Sequence, residues 1–205
     1  MKQLLTLIIV CTTIQIGIAQ EAYFSVGKNF TTYDYTNSLG ESNANVSPSS
    51  GSSYELGYTF QVKSNLQFAT AVTLNEFNAT GGDFSNNYSW NTSYLGLQGL
   101  FKYAIYAPSG SDYKVMLNAG LNMNHIINGQ QKINGQTINL TSEKEFTGVF
   151  AQPILGLDVS YLIVRGIAVG LGYHYSKNFG ISSSASQKLN FSNSQFQFNI
   201  IMSLN

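Results

Sequence analysis

The stretch Leu155–Ser176, LGLDVSYLIVRGIAVGLGYHYS, decides the fold of this chain. Its length and apolarity match a membrane-crossing helix of about 20 residues. Yet it holds Asp158, Arg165, His174 and several glycines. Read with a period of two, the conflict disappears. Leu155, Leu157, Val159, Tyr161 and Ile163 fall on one face. After Val164-Arg165-Gly166 the same face resumes with Ile167, Val169, Leu171, Tyr173 and Tyr175. Successive strand residues point to opposite sides of a sheet, so this pattern predicts two antiparallel strands. A three-residue turn keeps the parity, with Gly166 in the left-handed position. The expected pairs are Ile163 with Ile167, Val159 with Leu171, Gly156 with His174 and Asp158 with Gly172. Asp158 and His174 then become diagonal neighbours, roughly 7–8 Å apart at the backbone.

The same alternation runs through the rest of the chain after residue 20. In Tyr54–Lys63, YELGYTFQVK, the residues Tyr54, Leu56, Tyr58, Phe60 and Val62 oppose Glu55, Gly57, Thr59, Gln61 and Lys63. Eight strands are predicted, at about 22–34, 53–63, 66–77, 90–105, 113–126, 148–163, 167–178 and 190–203. Tight turns are expected at 63–65 and 164–166, and a moderate one at 106–112. Long polar segments are expected as loops at 36–52, 78–89, 127–147 and 180–188. In an up-and-down meander, this order gathers the long loops at one end and the short turns at the other.

Composition narrows the class. The chain of 205 residues carries 10 Lys+Arg and 10 Asp+Glu, so its formal net charge is zero. A nucleic-acid partner is therefore not expected, since such a protein shows a basic excess. Charged residues make up only 10% of the chain, against roughly 25% in ordinary soluble domains. At the start, Met1-Lys2 precedes the apolar run LLTLIIVCTTIQIGI, and Gly17-Ile18-Ala19 supplies small residues for cleavage. Residues 1–19 are read as a signal peptide and 20–205 as one barrel domain. The single cysteine, Cys11, lies in that leader. No disulfide can then stabilise the exported part, which leaves closure of the sheet or a surrounding bilayer.

Alternation alone suits a soluble barrel as well as a membrane one. Two features favour the membrane. The polar faces are rich in small residues (Gly57, Ala69, Ala71, Gly96, Gly120, Gly156, Gly170 and Gly172), which suit a crowded barrel interior. Aromatic residues also gather near strand ends. Tyr54, Tyr58, Trp90, Tyr103, Tyr113, Tyr161, Tyr173 and Tyr175 are read as girdles at the two membrane interfaces. The leader, the eight strands, the alternating loop lengths and the GLGYHYS hairpin together resemble the small eight-stranded outer-membrane β-barrels of Gram-negative bacteria, the OmpA/OmpX-like family. The resemblance covers about residues 21–205. It implies an all-β, eight-stranded, antiparallel up-and-down transmembrane barrel with four long extracellular loops and three short periplasmic turns. It also implies residence in the outer-membrane bilayer, after handling by periplasmic chaperones and the barrel-insertion machinery.

Candidate chemistry is sparse. No nucleophile–histidine–acid order, metal-ligand cluster or phosphate-binding glycine loop appears, so no catalytic residue, metal or cofactor is expected. Five ionisable residues fall on the polar face: Glu55, Lys102, Lys114, Asp158 and His174. An eight-stranded barrel is just wide enough for its own side chains. These five are therefore read as an interior polar network. The expected function is a structural, adhesive or surface-interaction role carried by the loops. Residues 127–147, with Asn128-Gly129 and Asn134-Gly135, are expected to form a ribbon that meets a surface partner. Two alternatives stand beside this one: a narrow porin-like channel for ions or small solutes, and a soluble lipocalin-like binder of an apolar ligand.

Overall fold

A computed structural model describes residues 19–36, 46–82, 87–142, 148–180 and 188–204. The expected leader lies outside these apart from Ala19. The strands are β1 (Ala19–Thr36), β2 (Val46–Lys63), β3 (Leu66–Glu76), β4 (Ala79–Gly82), β5 (Asn87–Tyr106), β6 (Tyr113–Ile133), β7 (Gln136–Asn139), β8 (Val149–Val164), β9 (Ile167–Lys177), β10 (Phe179–Gly180) and β11 (Lys188–Ser203). β4 continues the path of β3 beyond Phe77 and Asn78, pairing with β2 and β5. β10 continues that of β9 beyond Asn178 and pairs with β8. β11 pairs with β1 and closes the ring. The result is an antiparallel up-and-down barrel with eight walls. Closure matters because it leaves no unpaired sheet edge within the wall.

Which residues are buried fixes the kind of barrel. Leu97 and Leu171 are 67% and 68% exposed on the outer surface, whereas Asn118 and Thr73 are 0% exposed within. Phe24, Leu56, Val72, Phe101, Leu155 and Phe198 continue the outer apolar surface around the ring. Apolar outside and polar inside is the reverse of a soluble barrel. In water such an exterior would be a very large exposed apolar patch. In lipid it is the matching surface.

The short connections meet at one end, called here the turn end: Ser64 and Asn65, residues 107–112, and Arg165 with Gly166. Gly166 has φ +87°, the left-handed conformation expected of it. Backbone bonds stitch this rim together. Leu162 N–H donates to Asp112 O, Ala104 N–H to Asn65 O and Ser203 N–H to Gly166 O, each at 2.8 Å.

Three sequence expectations need correction. First, the register of the opening hairpin holds at Gly156–His174, Asp158–Gly172 and Val159–Leu171, but it shifts between Leu162 and Val164. Val164, not Ile163, therefore pairs with Ile167, because the turn is two residues long rather than three. Second, the strands reach further into the polar segments than expected. β2 begins at Val46, β4 occupies Ala79–Gly82, and β6 runs to Ile133. Ser, Thr and Asn read as loop by composition. Here their backbones find partners on neighbouring strands, and that context overrides propensity. Third, of the two Asn-Gly pairs only Asn134-Gly135 makes a turn, with φ +48° and +85°. Asn128-Gly129 lies within β6, facing Ser93 and Thr92. The outer part of β6, that turn and β7 form the expected ribbon, while residues 143–147 lie outside the described set.

Candidate functional site

The barrel interior changes character along its length. Near the turn end lies a cavity of about 190 Å³. It is bounded by Tyr23, Leu100, Lys102, Lys114 and Asp158, and it reaches Ser111 and Asp112 in the turn. Lys102 Nζ lies 2.9 Å from Asp158 Oδ2, with both side chains mostly buried. Lys102 also stands over the Tyr23 ring, 5.3 Å from its centroid. His174 Nε2 is 3.1 Å from the other carboxylate oxygen, Asp158 Oδ1. A carboxylate can only accept here, so the proton sits on Nε2. Asn118 lies 3.2 Å from the same nitrogen. The atom placed there is the amide nitrogen, and the amide oxygen has no partner; turning the amide over would set that oxygen against the Nε2 proton.

Two glycines make this cluster sterically possible. A Cβ on Gly156 would lie 2.1 Å from His174 Cδ2, and one on Gly172 would lie 2.5 Å from Asp158 Oδ1. Each glycine directly opposes the residue it accommodates. These two small-residue positions are thus spaces reserved for the large polar groups across the strand pair.

Glu55 stands apart from this ion cluster. Its carboxylate accepts from Gln98 Nε2 at 3.2 Å and from Gln195 Nε2 at 3.1 Å. Gln195 reaches Ser53 Oγ and Gln197 Oε1 as well. Lys114 is half-buried on the cavity wall and forms no ion pair among the described residues. The five interior residues are thus split. Asp158 joins Lys102 to His174, and among the described residues Glu55 and Lys114 form no ion pair with that trio.

Farther along, the interior becomes uncharged. Asn193 donates to Asn29 Oδ1 at 3.0 Å, Asn29 donates to Asn75 Oδ1 at 3.2 Å, and Thr31 donates to Asn193 Oδ1 at 3.1 Å. Asn122 donates to Thr73 Oγ1, and Asn124 donates to Gln152, which donates to Ser176. Interior amides and hydroxyls thus satisfy one another in part, though the amide oxygens of Asn122 and Asn124 have no partner.

The loop end is plugged by an apolar core. Tyr33, Phe77, Ala79, Tyr94, Ile126, Leu140, Phe150 and Phe191 form one buried cluster. Phe191 is its centre, with ring centroids 4.7 Å from Phe77, 5.3 Å from Tyr33, 5.4 Å from Phe150 and 6.5 Å from Tyr94. The Tyr33 hydroxyl donates to Phe77 O at 3.0 Å and lies 3.1 Å from Thr92 Oγ1, so the polar tip of the ring is satisfied. Contributions come from walls on opposite sides, so the cluster bridges the lumen.

Sequence reasoning missed this plug. Tyr33, Tyr94, Phe150 and Phe191 follow the inward parity of their strands, and that parity was the available signal. The structure also moves Trp90. It was read as a girdle residue, yet it packs against the inner cluster, 6.1 Å from Tyr33. The reason is parity: Trp90, Thr92 and Tyr94 share the inner side of β5. The remaining girdle residues, Tyr54, Tyr58, Tyr103, Tyr113, Tyr161, Tyr173 and Tyr175, are exposed on the outside. Tyr113 and Tyr161 pair across β6 and β8 at 4.7 Å, close to the turn end.

No group of three or more His, Cys, Asp or Glu able to hold a metal occurs among the described residues. No family model matches the chain, and no curated protein matches it. Solved structures do. Neisserial surface protein A matches over 88% of this chain and 97% of its own, at 16% identity and a TM-score of 0.46. The N-terminal β-barrel domain of OprF from Pseudomonas aeruginosa matches over 87% and 97%, at 9% identity and a TM-score of 0.40. Ail, the attachment invasion locus protein of Yersinia pestis, matches over 89% and 99%, at 8% identity and a TM-score of 0.36.

Proposed function

We propose that this chain is an integral outer-membrane barrel that presents its loop end as an interaction surface and does not conduct. The observation that carries the reading is the aromatic plug around Phe191, set inside a barrel whose exterior is apolar. The exterior supports insertion in lipid, and the plug supports a closed lumen. Under the usual orientation of such barrels, the turn end faces the periplasm and the loop end faces outward.

The β6–β7 ribbon is the outward element best suited to meet a partner. The β7 residues are all exposed, and among the described residues β7 pairs only with β6. Among the described residues the other edge of β7 has no strand partner, which suits the addition of a strand. The reading contains no catalytic step. His174 is engaged with Asp158, and His125 Nδ1 lies 3.0 Å from Gly148 O.

Two measurements test this function. Purified protein in planar bilayers is expected to give no conductance above background, and discrete channel openings would favour the porin-like alternative. Cells displaying a variant deleted for residues 130–139 are expected to keep the heat-modifiable folded band while losing adhesion or aggregation. Adhesion equal to that of wild type overturns the role given to the ribbon.

A further inference from the structure

The charged end of the lumen holds one feature that neither the plug nor the ribbon explains. Ser25 on β1 is directly opposed by Asn199 on β11 and by Glu55 on β2. Three oxygen-bearing side chains therefore stand abreast on adjacent strands, with about 5 Å between neighbouring Cβ atoms. All three line the 190 Å³ cavity. They are 1%, 4% and 3% exposed, respectively. Ser25 Oγ and Asn199 Oδ1 are buried atoms with no hydrogen-bond partner. Leaving such atoms unsatisfied costs about 1–3 kcal/mol each, so buried polar atoms of native proteins normally have a partner.

The charge of the surrounding wall points to the kind of partner that suits these oxygens. The cavity wall carries four carboxylates, from Glu21, Glu55, Asp112 and Asp158, against two ammonium groups, from Lys102 and Lys114. Lys102 is engaged by Asp158. Glu55 accepts from neutral amide donors; Lys102 attracts it electrostatically but is ion-paired with Asp158, and among the described residues no basic group lies within ion-pair distance of Glu55. A buried carboxylate calls for a counter-charge. Water can satisfy the hydroxyl and the amide, but it brings no charge.

We propose that Glu55, Ser25 and Asn199 form a binding site for a hard metal cation that keeps part of its water shell. The donors are oxygen only, which selects against the soft and borderline metals that prefer thiolate or imidazole. One carboxylate beside two neutral oxygens gives a weak site, with remaining positions filled by cavity water. The site would place an ion behind the plug, on the turn side of the barrel.

The test uses the folded barrel in detergent, stripped with chelator and held in choline chloride. CaCl2 and NaCl are titrated separately by calorimetry, with thermal unfolding measured in parallel. One of the two salts is expected to bind saturably near one equivalent and to raise the unfolding temperature. The responding salt identifies the ion. Glu55→Gln keeps the shape of the side chain and removes its charge. It is expected to weaken binding by about tenfold or more and to abolish the temperature rise. Ser25→Ala is expected to weaken binding less. Absence of saturable binding to wild type by either salt overturns the site, as does unchanged affinity in Glu55→Gln. If Glu55→Gln gives no folded band on a heat-modifiability gel, Ser25→Ala and Asn199→Ala decide, and unchanged affinity in both overturns the site.

Discussion

The two halves of the lumen solve one packing problem by opposite means. At the turn end, the interior is filled by charges, amides and a cavity of about 190 Å³ around the Lys102–Asp158–His174 cluster. At the loop end, it is filled by aromatic rings packed around Phe191. The first half depends on matching each donor and charge to a partner. The second depends on shape. The difference predicts different failures. Damage to the turn half exposes an unpaired charge, whereas damage to the loop half opens a hole.

The largest effect is expected in the turn half. Asp158→Ala leaves the Lys102 ammonium buried without its partner, which costs about 4 kcal/mol, within the range for breaking one side of a buried pair. Urea unfolding of the detergent-folded barrel measures it. Replacing both residues, as in Lys102→Met with Asp158→Leu, is expected to recover most of that loss. A double variant no more stable than Asp158→Ala contradicts the account of the pair.

Phe191→Ala comes next, at about 3 kcal/mol for a large aromatic removed from a packed core. Unlike Asp158→Ala, it is expected to produce conductance steps in planar bilayers, because it removes the centre of the plug. If both variants conduct, or neither does, the division of labour between the halves fails.

Gly156→Ala tests the fit between the glycines and the charged cluster. The added methyl collides with the His174 ring, and such overpacking costs about 2 kcal/mol. A second change, His174→Ala, is expected to relieve the collision, which a double-mutant cycle reads directly. The smallest effect is Tyr33→Phe, about 1 kcal/mol for the hydrogen bonds of the ring hydroxyl at the plug. It should leave the barrel non-conducting.

The turn half was largely legible in the sequence and the loop half was not, for a physical reason. In Leu155–Ser176 the inward residues are polar or small except near the turn, where Leu162 lines the cavity, and the outward residues are apolar, so period two reports both faces. The placement of Asp158 within 3.1 Å of His174 follows from that register. In the loop half, apolar residues occupy the inner face too, and the alternation that identifies a strand fades. Phe77 sits where β3 breaks, Phe150 begins β8, and Leu140 enters from the short helical turn after β7. Nothing in the chain spacing places these residues beside Phe191. Only closure of the ring brings them together. The cavity and the unpartnered Ser25 and Asn199 oxygens were illegible for the same reason: the cavity is lined from strands around the whole ring, and the two oxygens meet only where β11 pairs with β1.

The central claim is that the apolar face of this barrel meets lipid while the polar face is sealed inside. Spin labels on single cysteines at Leu95, Gly96, Leu97, Gln98 and Phe101, in a Cys11→Ser background, test it most directly in lipid vesicles. Labels at Leu95, Leu97 and Phe101 are expected to relax with lipid-soluble oxygen and to ignore a water-soluble nickel complex. Labels at Gly96 and Gln98 are expected to resist oxygen. Loss of that alternation, or strong relaxation by nickel at Leu97, would contradict the account.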